Sequence, residues 1–154
     1  MQTAVVLLPV VPTPVEVKKG DDTVFAFDPI VTDTLSAALL SPPLTVIVNG
    51  KNGTPVQSYV VTYELVRQPK QRANTTEPTV VLVNSSGRDS SVAVTNTTGQ
   101  ASRQLRIRRT AIDPALQLGG TDTAIVRVHV QLRDSSVPVT PSDSFIIPIR
   151  AKQP

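Results

Sequence analysis

The stretch Gln57-Ser58-Tyr59-Val60-Val61-Thr62-Tyr63-Glu64-Leu65-Val66-Arg67 decides the fold. Tyr59, Val61, Tyr63 and Leu65 fall on one side of an extended chain, and Val60, Thr62, Glu64 and Val66 on the other. A period of two marks a strand with one covered face, and the first set is the better core candidate. Ala124 to Leu132 repeats the pattern, with Val126, Val128, Val130 and Leu132 expected inward against Ile125, Arg127, His129 and Gln131. Strands of this kind need a second layer to cover their apolar face.

Composition agrees with that reading. The 154 residues include 24 Val, 18 Thr and 12 Ser, so β-branched residues that crowd a helical turn but pack well on a pleated surface are abundant. Fourteen prolines interrupt the chain too often for long helices. Working outward, Thr23-Val24-Phe25-Ala26-Phe27 is a short strand with both phenylalanines on one face, and Leu44-Thr45-Val46-Ile47-Val48 is a strand that ends in Asn49-Gly50-Lys51-Asn52-Gly53, a double turn signal. Asp33 to Leu40 fits both a helical stripe and a strand; strand is preferred because Ser41-Pro42-Pro43 stops a helix. Gln68 to Pro78 is expected to be a mobile polar loop. Thr79 to Val83, Ser91 to Thr95 and Ala101 to Arg109 are further strands, separated by Asn84 to Asp89 and Asn96 to Gly99. Asp113 to Gly120 is a crossover with room for one helical turn. Ser144 to Arg150 closes the chain and is expected near an edge because Pro148 lacks a donor. The sum is nine or ten strands, mostly in antiparallel hairpins: an all-β antiparallel β-sandwich over residues 31–154, preceded by an N-terminal arm with edge strands over residues 1–30.

The same inventory excludes function classes. Without cysteine there is no disulfide, thiolate metal site or cysteine nucleophile, and His129 is the only histidine that a catalytic triad could use. No cofactor is expected, and no enzyme. Charge is balanced, with 15 Lys+Arg against 12 Asp+Glu, and five aromatics are too few to stack nucleic-acid bases. Nucleic acid is therefore not an expected partner. The apolar run Ala4 to Val11 is eight residues, broken by Pro9, where a membrane span needs about 20. Met1-Gln2-Thr3 supplies no basic flank for a signal peptide, so an exported chain would have lost its signal.

A family resemblance enters through Leu44 to Val56, which contains Gly53-Thr54-Pro55-Val56, then Val60 to Leu65, and Val94-Thr95-Asn96-Thr97-Thr98-Gly99-Gln100-Ala101. This segment resembles the bacterial immunoglobulin-like repeats of the invasin and intimin type (Big-1-like). Asn96 stands where those repeats usually carry Asp. The resemblance covers about residues 31–110 and does not account for the first 30 residues. It implies an immunoglobulin-like sandwich outside a bacterial cell, acting as a rigid spacer or adhesive module at the cell surface.

Four candidate sites stand out. His129 lies on the polar face of its strand and is read as a half-exposed strand residue rather than a base or metal ligand. Asp21 and Asp22 with Asp28 could hold calcium at one end of a sandwich; ordinary loop acids are the plainer reading. Arg103, Arg106, Arg108 and Arg109 are the densest basic cluster, either a solvated strand face or a patch for acidic polysaccharide or lipid head groups. Asn52, Asn74, Asn84 and Asn96 sit in Asn-x-Ser/Thr, which turns use as readily as glycans do. The least ordinary feature is the N-terminal arm: Val5, Val6, Leu7, Leu8, Val10 and Val11 are apolar on both faces of an extended segment and must be covered by a sheet of this chain or of a neighbour. Expected partners are therefore protein, either self or neighbouring domains, with surface polysaccharide as a further possibility. The leading expectation is a non-enzymatic structural or adhesive module, with a head-to-tail filament subunit and a carbohydrate-binding module as alternatives.

Overall fold

A computed structural model describes residues 16–30, 36–50, 53–132 and 143–152. Its strands are β1 (Glu16–Lys19), β2 (Phe25–Phe27), β3 (Leu44–Asn49), β4 (Tyr59–Arg67), β5 (Val80–Val83), β6 (Val92–Val94), β7 (Gln100–Ile107), β8 (Thr121–Leu132) and β9 (Asp143–Ala151), with one helical turn α1 (Pro114–Gln117) between β7 and β8. They form two sheets, β1-β3-β7-β5 and β2-β9-β8-β4-β6. The fold is all-β, an immunoglobulin-like sandwich.

Alternation builds the core as expected. Tyr59, Val61 and Tyr63 of β4 are buried, and so are Val126, Val128 and Val130 of β8, facing Leu44, Val46 and Val48 of β3 and Leu105 and Ile107 of β7. Phe25 and Phe27 are fully buried with their rings edge to face, 6.4 Å apart. The Tyr63 hydroxyl donates within the core to the carbonyls of Leu44 (2.9 Å) and Ala101 (3.1 Å), joining the two sheets. Burial pushes this phenol well above its ordinary value, against a smaller opposite pull from Arg103.

Topology departs from the hairpin expectation. Ladders are antiparallel except β2 with β9, which is parallel. From β1 to β8, however, each successive strand lies in the other sheet, and only β8 and β9 are both consecutive and paired. The turn residues make arches across the sandwich instead. Asn96 shows how: its side-chain oxygen accepts from the amides of Thr98 and Gln100, Gly99 takes φ +73°, and the chain passes from β6 to β7 in the opposite sheet. A Cβ on Gly99 would lie 2.5 Å from the Val48 carbonyl oxygen, so glycine is required there.

Two local expectations are corrected. Residues 37–39 form a 3₁₀ turn rather than a strand, because the Ser36 carbonyl and hydroxyl accept from the Leu39 and Ala38 amides; Asp33 to Leu35 lie outside the described residues. Gln68 to Pro78 is tied down: Arg72 donates to the Ala111 carbonyl, Lys70 to the Asp122 carboxylate at 2.8 Å, and the buried Thr79 hydroxyl to the Pro69 carbonyl. Pro148 sits in β9, which lies near an edge as expected, next to the edge strand β2. The edge strand β2 begins its pairing at Ile149, one residue beyond the missing donor. Residues 1–15, with the whole predicted apolar arm, and the loop containing Pro138 and Pro141 lie outside the described residues.

Candidate interaction surface

The four arginines do not converge. Arg103 has the inward parity of Ala101, Leu105 and Ile107 on β7, and its guanidinium donates to the carbonyls of Ser102 and Val92, bridging from one sheet to the other. Arg106 points outward but is absorbed by the β5–β6 turn, donating to the Gly87 carbonyl at 2.9 Å and pairing with Asp89 at 3.3 Å. Arg108 faces Glu77 at 3.7 Å. The Arg109 carbonyl accepts from Gln117, one step from α1. Each cation has its own local environment.

His129 is half-buried on the outer face of β8, opposite Thr62 and 3.5 Å from the Glu64 carboxylate, which Arg127 also approaches at 3.9 Å. Asp28 accepts from the Ile30 amide, while Asp22 faces the Lys19 ammonium at 3.0 Å and accepts from the Ile146 amide of β9. Among the described residues no three His, Cys, Asp or Glu side chains cluster to hold a metal ion. Asp122 receives the amides of Lys70 (2.8 Å) and Thr123 (2.7 Å) and faces Arg67 at 3.5 Å. Burial raises this carboxyl, but the two amide bonds and Arg67 outweigh it and hold the group below its ordinary value. Asp113 caps α1 by accepting from the Ala115 amide, and that bond lowers it likewise, with help from Lys70. All five aromatic side chains, Phe25, Phe27, Tyr59, Tyr63 and Phe145, are buried, which leaves no exposed ring for a sugar to stack on.

The two flanks of the sandwich differ. On the β2–β9 side the sheet edge is closed: Asp143 accepts from the Ser144 amide, Asp22 from the Ile146 amide, Pro148 has no donor, and β2 covers Ile149 to Ala151. On the other side the edge strands are shorter than their neighbours. β5 covers Gln104 to Ile107 of β7 and leaves Gln100 to Arg103 uncovered; β6 and the residues flanking it bond β4 from Tyr59 to Tyr63 and leave Glu64 to Arg67 uncovered. Two grooves result. One, of about 470 Å³, runs beside Ala93, Val94, Ala101 and Arg103. The other, of about 640 Å³, lies between the β4 and β5 edges and is lined by Leu65, Val80, Val81 and Leu82, with Glu64 and His129 at its rim. The sequence reading missed this second groove. Its signal was a mismatch of lengths, since an eleven-residue alternating segment beside one of five cannot be matched along its whole edge.

No protein-family model matches the chain, and no curated protein does. Among solved structures the chain is similar to the ASH / PapD-like domain of human CEP192 (PapD-like domain 7), with a TM-score of 0.52 over 100% of this chain and 99% of that chain at 8% identity. It is also similar to the E. coli chaperone DraB, with a TM-score of 0.47 over 88% of this chain and 55% of that chain at 12% identity. The first likeness shows the fold, an immunoglobulin-like β-sandwich.

Proposed function

We propose that this chain is a non-enzymatic protein-interaction domain that bears load as a structural and adhesive module of a bacterial surface protein, outside the cell. The observation that carries the reading is where the described chain enters and leaves. Glu16 pairs with Asn49 at the pole where Tyr59 and Leu132 meet, whereas Arg150 pairs with Thr121 at the far end of β8. Eleven residues of strand separate those levels, roughly 36 Å. Tension between the two poles therefore pulls β1 lengthwise along β3, and β9 lengthwise along β8 and its parallel partner β2. Ladder bonds loaded this way must break together rather than one at a time. The resemblance of residues 44–56 and 94–101 to invasin-type repeats supports the surface setting, and domains with opposed poles join end to end without a bend.

Pulling single molecules tests it. The chain lacks cysteine, so handles at engineered cysteines are unambiguous. Handles at Glu16 and Lys152 load the ladders in shear; handles at Thr121 and Arg150 unzip β8 from β9. Rupture at several-fold higher force in the first geometry is expected, and equal forces in the two would remove the load-bearing role. A second reading, a filament subunit that adds its N-terminal segment to a neighbour's sheet, is favoured by the uncovered edges of β4 and β7. The carbohydrate-binding alternative has no exposed aromatic residue to support it.

A further inference from the structure

We infer that the groove between the edges of β4 and β5 receives residues 6–10 of a second copy, with Leu8 seated on Leu65 and Leu82. The inference rests on the filament reading above and specifies its receptor. Three observations carry it.

The first is the open backbone edge. The Tyr63 amide donates to the Ser91 carbonyl where β6 enters. Along a strand every second residue turns its backbone groups to the same side, so Leu65, the last residue before the register shift between Leu65 and Arg67, directs its amide into the lane that β6 vacates. On the facing strand the Leu82 carbonyl is already taken by the Ser90 amide and the Thr79 amide by Gln68, so that edge is partly used. The ladder would be short, about three residues. β2 is held to β9 by a three-residue ladder in this same sandwich, with two apolar side chains buried beside it.

The second is the match of chemistry. The groove walls are Leu65, Val80, Val81 and Leu82. In Val6-Leu7-Leu8-Pro9-Val10, an extended backbone turns the amides of Val6, Leu8 and Val10 to one side and the donorless nitrogen of Pro9 to the other. Proline therefore removes no bond from a ladder made on the first side.

The third observation is reach, and it selects a second copy. Glu16 lies level with Asn49 on β1, at the edge of its sheet farthest from β5. Val80 to Leu82 lie level with Ile107 to Leu105, whereas Ile47, two residues before Asn49, is level with Gln100. The groove is thus about eight residues along the strand axis and three strand spacings across from Glu16, roughly 30 Å in a straight line through the body of the protein. Leu8 is eight residues from Glu16 and extends at most ~29 Å, before any detour around the surface. A chain would reach the groove with its own Leu8 only by running fully extended through its own body, whereas the segment of a second copy meets no such obstacle. The contact between copies is head to tail, and repetition gives a filament.

Disulfide trapping in the full chain tests the inference, with electron microscopy of the unmodified protein beside it. Leu8→Cys combined with Leu65→Cys should give a ladder of covalent oligomers on a non-reducing gel, comprising most of the protein. Leu8→Cys combined with Ser102→Cys or with Ile146→Cys should give none. Val81→Cys, at a half-buried position on the facing wall, replaces Leu65→Cys if that variant fails to fold. A disulfide confined to monomers, or filaments that persist with no trapping at either wall, would overturn the groove as receptor while leaving strand addition standing. Native material that is monomeric at all concentrations would overturn both.

Discussion

The two flanks of this sandwich meet the same problem with opposite outcomes. On the β2–β9 side, Lys19 of one sheet contacts Asp22, lies 5.1 Å from the centre of the Phe145 ring of the other sheet, and leaves Asp22 to accept from the Ile146 amide. With Asp143 on the Ser144 amide and a proline at 148, that edge offers acceptors but few donors to an incoming strand. On the β5–β6 side the edge strands have four and three residues against neighbours of eight and nine, and Arg103 is the main polar bridge across the gap. An edge is an invitation to pairing unless it is blunted. The difference teaches that this domain closes one flank with side chains and leaves the other uncovered, so association has a preferred side.

The largest test of that contrast is packing. Phe27 is fully buried beneath the closed flank, and Phe27→Ala should cost about 3–5 kcal/mol by chemical denaturation. Leu82, 9% exposed on the open flank, borders a groove that can relax, so Leu82→Ala should cost only about 2 kcal/mol. Equal losses would mean that the groove is packed like the core. Arg103→Ala comes next. It removes the donors to Val92 and Ser102, a charged bridge that is partly solvated, at about 1–2 kcal/mol, and should raise hydrogen exchange in β6 before any other strand. Exchange that rises uniformly would show that the bridge does not hold that flank.

A third test inverts the flanks. Asp22→Ala with Pro148→Val frees one donor and restores another on β9, at the cost of less than about 1 kcal/mol because Asp22 is exposed and Pro148 only half-buried. Light scattering should then show concentration-dependent association by a route that Leu65→Lys does not block. A double variant that stays as monodisperse as its parent would mean that these two residues do not keep the edge closed.

How much of this was legible in the sequence follows from what sets each feature. The period of two in residues 57–67 and 124–132 located β4 and β8, and the same sides proved to be core, because alternation is imposed by the strand itself. Asn96 and Gly99 were legible as a turn for an equally local reason. Whether that turn joins paired strands or crosses to the other sheet was not legible, since both use the same positive φ and the same side-chain acceptor. Asp33 to Leu40 was misread because three residues of 3₁₀ turn and a short strand share their spacing of apolar residues, and the deciding bonds to Ser36 leave no period. The arginines looked like one patch because sequence proximity carries no direction. Arg103 and Arg106 are three apart and so face opposite sides of β7, one into the gap between the sheets and one onto the β5–β6 turn. The acids that matter, Asp22 and Asp122, were visible only as loop carboxylates.

Asp122 gives the effect that separates the flanks by pH. It holds the Lys70 amide at the end of the loop that closes the far side of the open groove, and its carboxyl lies below the ordinary value of 3.8 in the folded chain. A carboxyl depressed by folding stabilises the folded state fully above its unfolded pKa, and that contribution is lost as pH falls through the folded one. Stability should therefore be level above about pH 5 and decline below about pH 4. Asp122→Asn keeps a side-chain oxygen for the Lys70 amide but removes the charge, so it should lower stability near neutrality by roughly 1 kcal/mol and flatten the acid decline. Hydrogen exchange across the decline should loosen residues 68–79 first and leave β2 and β9 protected. If the acid slope is unchanged in Asp122→Asn, the charge of this carboxylate does not tie the loop, and the open flank owes its far boundary to the neutral bonds there, from the Arg72 amide to the Ala111 carbonyl and from the Thr79 hydroxyl to the Pro69 carbonyl.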